Sequence, residues 1–239
     1  DIAALEALFK EMGEPRFRAR QVFSWLARGV QPEGMSNLPK ALREKLAALP
    51  FGGARIREKH MSAKDGTVKY LFELEDANLV EGVLMRYHYG NTLCISTQVG
   101  CKMGCAFCAS TLGGCVRNLE PGEMLAFIAC VEADLPKAEG HERSVTNVVL
   151  MGSGEPLDNY GNTLAFLRLV SAPGGMNISS RNISLSPCGL VDKIERLAVE
   201  APHVTLSVSL HAPNDEIRNA LMPVNRTFGI GDLSEAQKK

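Results

Sequence analysis

Apolar residues change their spacing twice along this chain, and the changes divide it into three stretches. In the first, Ile2, Leu5, Leu8 and Phe9 recur at helical spacing, and Gly13-Glu14-Pro15 closes the helix. Phe17 to Ala27 predicts a second helix with Val22, Phe23, Trp25 and Leu26 on its buried face. Ser36-Asn37-Leu38-Pro39 opens a third, through Leu42, Leu46 and Leu49. From Arg55 the period becomes two. Val68 to Leu74 and Leu79 to Tyr89 read as strands, with Asp65-Gly66 and Asp76-Ala77-Asn78 as turns.

From Leu93 onward strands alternate with helices. The strands are Leu93 to Thr97, Val145 to Met151, Arg181 to Ser186 and His203 to His211; the helices run from Pro121 to Glu132, Tyr160 to Val170 and Val191 to Glu200. That alternation predicts an α/β fold with a parallel sheet and crossover helices. Three parts follow: a small helical domain over 1–54, a β extension over 55–90, and the α/β core over 91–239. Chemically capable residues gather after the strand C-termini, where α/β barrels keep their active sites. Four parallel strands without closing partners leave an open edge, and the chain looks cut short before a further helix-like tail is completed.

Composition adds exclusions. Apolar residues make up 45% and charged residues 22%, no run approaches eighteen apolar residues, and Asp1-Ile2-Ala3-Ala4-Leu5-Glu6 lacks the form of a secretory signal. The expectation is a cytoplasmic protein without a membrane span. Seven cysteines, an odd number, argue for metal-binding or catalytic thiols in a reducing compartment. Net charge is −1, but residues 1–60 hold 11 Lys/Arg against 7 Asp/Glu. Arg16, Arg18, Arg20 and Arg28 could meet phosphates; an ordinary solvated face fits as well.

Candidate chemistry centres on Cys101-Lys102-Met103-Gly104-Cys105-Ala106-Phe107-Cys108, a C-x₃-C-x₂-C run. Three thiols converge only if the backbone curls, and Gly100 and Gly104 permit that. Zinc sites usually pair two C-x₂-C modules, and neither His88 nor His141 stands at ligand spacing. Three protein ligands suit a [4Fe–4S] cluster with one iron open, against zinc or three buried thiols as the other readings. Glu81 shares a strand face with Leu79, Val83, Met85 and Tyr87, an acid on an apolar side. Burial there would raise its pKa and make it a candidate base, though an edge residue near the turn fits the spacing too.

The cysteine run, with its aromatic Phe107, resembles the radical S-adenosylmethionine (SAM) superfamily. A longer ordered series resembles one branch, the RlmN family of adenine-C2 RNA methyltransferases. It comprises Gly13-Glu14-Pro15-Arg16-Phe17-Arg18-Ala19-Arg20-Gln21, Leu93-Cys94-Ile95-Ser96, Gln98-Val99-Gly100, Arg117-Asn118-Leu119 and Gly122-Glu123. It continues through Thr146-Asn147-Val148-Val149, Gly154-Glu155-Pro156-Leu157, Ser207 to Glu216, and Leu221-Met222-Pro223-Val224-Asn225.

The resemblance implies a partial (β/α)6-type radical SAM barrel after a helical, RNA-binding accessory domain and a short β extension. It implies Cys101, Cys105 and Cys108 as cluster ligands, and Gly154, Glu155, Ser186, Ser209, Leu210 and His211 as SAM contacts. It also implies Glu81 as the base and Cys94 as a second active-site thiol. Cys94 alone would read as a small buried residue, and His211 as a strand-end cap. Adenine carbon 2 lies between two ring nitrogens and is electron-poor, which is why the family is understood to need radical chemistry. The implied targets are 23S rRNA and tRNA, with an electron donor of flavodoxin or ferredoxin type and a monomeric state.

Some positions depart from the family. Its methyl-carrying cysteine lies downstream of Lys239, so the chain alone is expected to complete no methyl transfer. Cys115 stands where an aromatic is common, Ser153 where Met is usual, and Cys188 follows Pro187 in a Ser/Thr-rich turn of relatives. Two rival readings are the related adenine carbon-8 methyltransferases of antibiotic resistance and a non-catalytic Fe–S or RNA-binding module.

Overall fold

The computed structural model describes residues 2–49, 53–135 and 143–238; Asp1, His141 and Lys239 lie outside them. Three helices come first: α1 (Ile2–Glu11), α2 (Phe17–Leu26) and α3 (Lys40–Ala47). Phe9, Ala19, Val22, Met35, Leu38, Leu42 and Leu46 form their own small core. These are the positions the helical periodicity selects, and Met35 joins them from the connecting segment. Trp25 Nε1 donates to Asn37 Oδ1 at 2.6 Å and ties α2 to the approach to α3.

A seven-stranded sheet in the order β1-β2-β3-β4-β7-β8-β9 dominates the rest. β1 (Ala54–Met61), β2 (Val68–Leu74), β3 (Leu79–Tyr87) and β4 (Gly90–Cys94) pair antiparallel, one after the next. β4 then pairs parallel with β7 (Val145–Leu150), β7 with β8 (Ile183–Leu185), and β8 with β9 (Thr205–Leu206). The crossovers contain α4 (Pro121–Asp134), α5 (Tyr160–Val170) and α6 (Val191–Glu200), and α7 (Asp215–Leu221) and α8 (Ile230–Ala236) follow. The alternation from Leu93 therefore does form a parallel, partial barrel, with the antiparallel extension continuing the same sheet. No helix among the described residues is long and apolar enough to cross a membrane.

Several elements differ from the sequence expectation. The strand predicted from Leu79 to Tyr89 ends at Tyr87 in a tight turn to Gly90. β1 carries mostly charged residues and is held by backbone pairing to β2. β9 keeps two residues of the predicted nine because it has one neighbour, although Ser207 N and Ser209 N still donate to Leu185 O and Pro187 O. The tail makes a 3₁₀ turn over Pro223–Arg226 and becomes α-helical from Ile230.

Register sorts the sheet's faces. Leu84, Leu93, Val148 and Ile183 are aligned across four strands and are all 0% exposed, beneath α4 and α5. Phe72 stacks on Phe127 of α4 with ring centroids 4.7 Å apart. The neighbouring row, Val83, Cys94, Val149 and Ser184, faces the other, open side. Glu81 belongs to this second row. The burial expected for it is thus corrected: Val80, Gly82 and Leu84 enter the core, while Glu81 is exposed. Both faces of β3 are apolar, so alternation alone could not say which one is covered.

One ion-pair cluster ties the extension to the core. Arg117 grips Glu123 of α4 with both terminal nitrogens, at 2.8 and 2.9 Å, and its Nε reaches Asp76 in the β2–β3 turn at 2.6 Å. Arg117, and then Asn78, hold the Asp76 carboxyl well below the ordinary carboxylate range. A carboxylate whose pKa falls on folding stabilises the fold above its unfolded value of 3.8. That contribution disappears as pH drops through the depressed value. Asp76→Asn should therefore lower the melting temperature at neutral pH, with the gap to the parent closing in strong acid. Thermal scans across pH check this; a gap independent of pH would refute the pairing.

Candidate cofactor site

The site begins at a hairpin that sequence spacing did not reveal. β5 (Gln98–Gly100) and β6 (Cys115–Asn118) pair antiparallel and close a loop containing all three motif cysteines. Gly100 makes the closure possible: its φ is +76°, and a Cβ there would lie 2.0 Å from Gly114 O. Cys101 N donates to Gly114 O at 2.9 Å, Cys108 N to Cys105 O at 3.1 Å, and Thr111 Oγ1 to Cys108 O at 2.9 Å. Cys101 is buried and the other two are half-buried. Burial raises the Cys101 and Cys105 pKa values, and neighbouring thiols push both further up.

Four strand ends converge beside this loop. Ser96 Oγ donates to Glu81 O at 2.8 Å and accepts from Ser153 N at 3.1 Å, binding the ends of β3, β4 and β7 together. Ser153, the departure from the family pattern, receives a hydrogen bond from Ser110 of the cysteine loop at 3.2 Å. Gly154 has φ +99°, and a Cβ there would sit 2.6 Å from Gln98 Cβ. Glu155 is 3% exposed. Its oxygens accept from Leu157 N at 2.9 Å and Cys188 N at 2.7 Å, and its own N donates to Gln98 Oε1 at 2.8 Å. Burial raises the Glu155 pKa, while those two N–H groups pull it back. Each carboxylate oxygen keeps lone-pair capacity for a further donor.

Across the sheet, Ser186 and Ser209 meet, with hydroxyls 2.9 Å apart. His211, at φ +57°, lies tilted against Phe107 of the cysteine loop with ring centroids 4.8 Å apart. Leu210 is 43% exposed beside it. Cys94 is half-buried on the open face, with its pKa raised by burial. Glu81 is paired with Lys69 at 2.5 Å. Glu81, Cys94, Glu155, Ser186, Ser209 and His211 thus lie on the open face of the sheet or in the loops after its strands.

Other participants were assigned no individual role from the sequence. Gln98 Nε2 donates to both Asn118 and Asp158, and Lys102 pairs with Asp158 at 2.8 Å, bracing the hairpin against the loop after β7. Cys188 is buried, and that burial, followed by the Glu155 carboxylate, drives its pKa far upward. Cys130 Sγ donates to Ala54 O at 3.1 Å, a structural contact away from the site.

The donor set fits an iron–sulfur cube better than a single ion. Among the described residues no three His, Cys, Asp or Glu side chains converge tightly enough to share one metal ion. Thiolates that each take a separate iron do not need to converge on one atom. Cys101, Cys105 and Cys108 could hold such a cluster.

Comparisons with known proteins agree. The radical SAM superfamily profile matches residues 95–229, and a profile described as the ribosomal RNA large subunit methyltransferase N-terminal domain matches residues 1–50. The fold and the cysteine site thus define a radical SAM protein, the class whose cofactors are a [4Fe–4S] cluster and SAM. "Probable dual-specificity RNA methyltransferase RlmN" of Alkaliphilus metalliredigens (strain QYMF) is 49% identical over 97% of this chain. Its namesake in Thermoanaerobacter sp. (strain X514) is 44% identical over 98%. The chain belongs to the RlmN family. It spans 65% and 67% of those two relatives' lengths. A solved radical SAM methyltransferase from Sphaerobacter thermophilus superposes with a TM-score of 0.90 at 43% identity, covering 98% of this chain and 69% of its own.

Gly154→Ala tests how tightly the loop is pinned. The added methyl meets Gln98 in a backbone conformation that side chains rarely adopt, so stability should fall by about 1–3 kcal/mol in urea unfolding. A parental midpoint would show that the Gln98–Gly154 contact constrains nothing.

Proposed function

We propose that this chain forms the greater part of a radical SAM methyltransferase acting on carbon 2 of adenosine, in 23S rRNA and in tRNA beside the anticodon. The observation that carries this reading is the convergence of the cysteine loop, the buried Glu155 and the Ser186–Ser209 pair at one end of the sheet. When bound, the cluster and SAM supply one-electron chemistry, suited to a ring carbon too electron-poor for nucleophilic methyl transfer. The chain's residues do the rest. Cys101, Cys105 and Cys108 would hold the cluster through three of its irons. Glu155 accepts from the ammonium group of SAM, with Gly154 allowing close backbone approach. Ser186, Ser209, Leu210 and His211 line the remainder of the pocket.

Glu81 and Cys94 stand on the open face of adjacent strands, where an incoming base would lie. On this reading Glu81 would take the ring proton and Cys94 would assist release of the product. Residues 1–54 would meet the RNA, using Arg18 over Phe17 and Arg28 over Trp25, with centroid distances of 5.0 and 5.5 Å. Flat, cation-backed aromatic surfaces of this kind suit unpaired bases and phosphates. Residues 55–90 would extend the barrel sheet and residues 91–239 form its catalytic core. A flavodoxin- or ferredoxin-type donor and a monomeric, cytoplasmic enzyme complete the reading.

Anaerobic reconstitution with iron and sulfide should give a brown protein that cleaves SAM to 5′-deoxyadenosine. Cys105→Ser should lose both colour and cleavage. Tight zinc binding without SAM cleavage would favour a binding module instead. With the complete gene supplied to a methylation-deficient host, mass spectrometry of rRNA should find 2-methyladenosine. An 8-methyl product would overturn the choice of carbon.

A further inference from the structure

Among the described residues the largest fully buried side chain is a charged one that none of the roles above uses. Arg218 of α7 is 0% exposed. Its Nε donates to Leu210 O at 3.1 Å, and its Nη2 to Cys188 O at 2.6 Å and Ser209 O at 3.3 Å. Its Nη1 donates to Asn225 Oδ1 at 2.6 Å. Asn225 is anchored in turn, since its Nδ2 donates to Asp215 Oδ1 and Asn219 Oδ1, both at 2.9 Å. One planar fork thus joins the loop after β8, the loop after β9 and the segment after α7.

Those two loops carry Ser186 and Ser209-Leu210-His211. Their carbonyls are aimed inward at one point, and three inward carbonyl dipoles would repel one another without a donor between them. α7 also reaches the other half of the site. Ala106 N, between the second and third motif cysteines, donates to Leu221 O at the end of α7 at 2.8 Å. A side chain added at Gly104 would lie 3.5 Å from Pro223.

We propose that Arg218 is the positioning residue of the cofactor site, holding the two SAM-side loops in register with each other and, through α7, with the cysteine loop. The role rests on the cofactor reading given above. Two properties of arginine are needed. The fork spans carbonyls on separate loops, which the single nitrogen of lysine cannot do. The fixed positive charge lies under a site that gathers three thiolates, and it favours the more negative, reduced state of a cluster bound there. Burying a cation is costly unless its donors are satisfied, and here four acceptors satisfy it.

The two properties separate experimentally. The protein from its complete gene, reconstituted anaerobically, is compared with Arg218→Lys and Arg218→Met at equal iron and sulfide content. Equilibrium SAM binding should weaken about tenfold or more in both variants, as two or more charge-assisted hydrogen bonds lose their geometry. The cluster's reduction potential should fall in Arg218→Met and stay near the parent's in Arg218→Lys. Rescue of potential without rescue of affinity is a pattern that a merely structural side chain does not produce. If Arg218→Met fails to retain the cluster, Arg218→Lys decides by its SAM affinity. Parental affinity in Arg218→Lys overturns the positioning role, and equal potentials in Arg218→Met and the parent overturn the role of the charge. A parent that binds neither cluster nor SAM refutes the underlying functional reading, and the positioning role falls with it.

Discussion

Electrostatic crowding at the end of the sheet is the constraint on which the rest of the structure depends. Three thiols share one short loop, and burial, then neighbouring thiols and the Glu155 carboxylate, raise the pKa of two of them, Cys101 and Cys105. A folded chain has no reason to bring such groups together for stability alone, because negative charges gathered in one place repel. The surroundings are arranged to hold them there. Backbone N–H groups from Leu157 and Cys188 cap Glu155, Gln98 and Asn118 brace the hairpin, and glycines at 100 and 154 occupy positions where any side chain would collide. This is strain kept for a purpose, with the cost met by the packed core beneath.

That core explains why the site can be rigid. The row Leu84, Leu93, Val148 and Ile183 is completely covered, so the strand ends above it have little freedom to shift. One residue further along each strand the side chains face the open side. A period of two therefore turns a single sheet into a hydrophobic foundation and a reactive surface. Cys94 and Ser184 are on that surface because Leu93 and Ile183 are not.

Much of this was legible in the residues. Val148 to Met151 is an apolar run that meets Gly152 and Gly154, and strands of that kind announce a covered parallel sheet. The cysteine spacing named its chemistry without any fold. What stayed hidden depends on contacts distant in sequence. β1 has too few apolar residues to alternate, and β5 and β6 pair across a loop whose sequence codes for cysteines rather than for a hairpin. β3 is apolar on both faces, so Glu81 could be assigned to the wrong environment. Arg218 lies in a short helix, after Asp215 and Glu216, that reads as solvated; nothing local reveals that three carbonyls will surround it.

The two borders of the sheet have a consequence for the molecule in solution. At one side β1 presents Arg55, Arg57, Glu58, Lys59 and His60, a fringe dense in charge. At the other, β9 offers only two residues of regular strand. Neither border gives a neighbouring chain a long, flat, greasy template to zip onto.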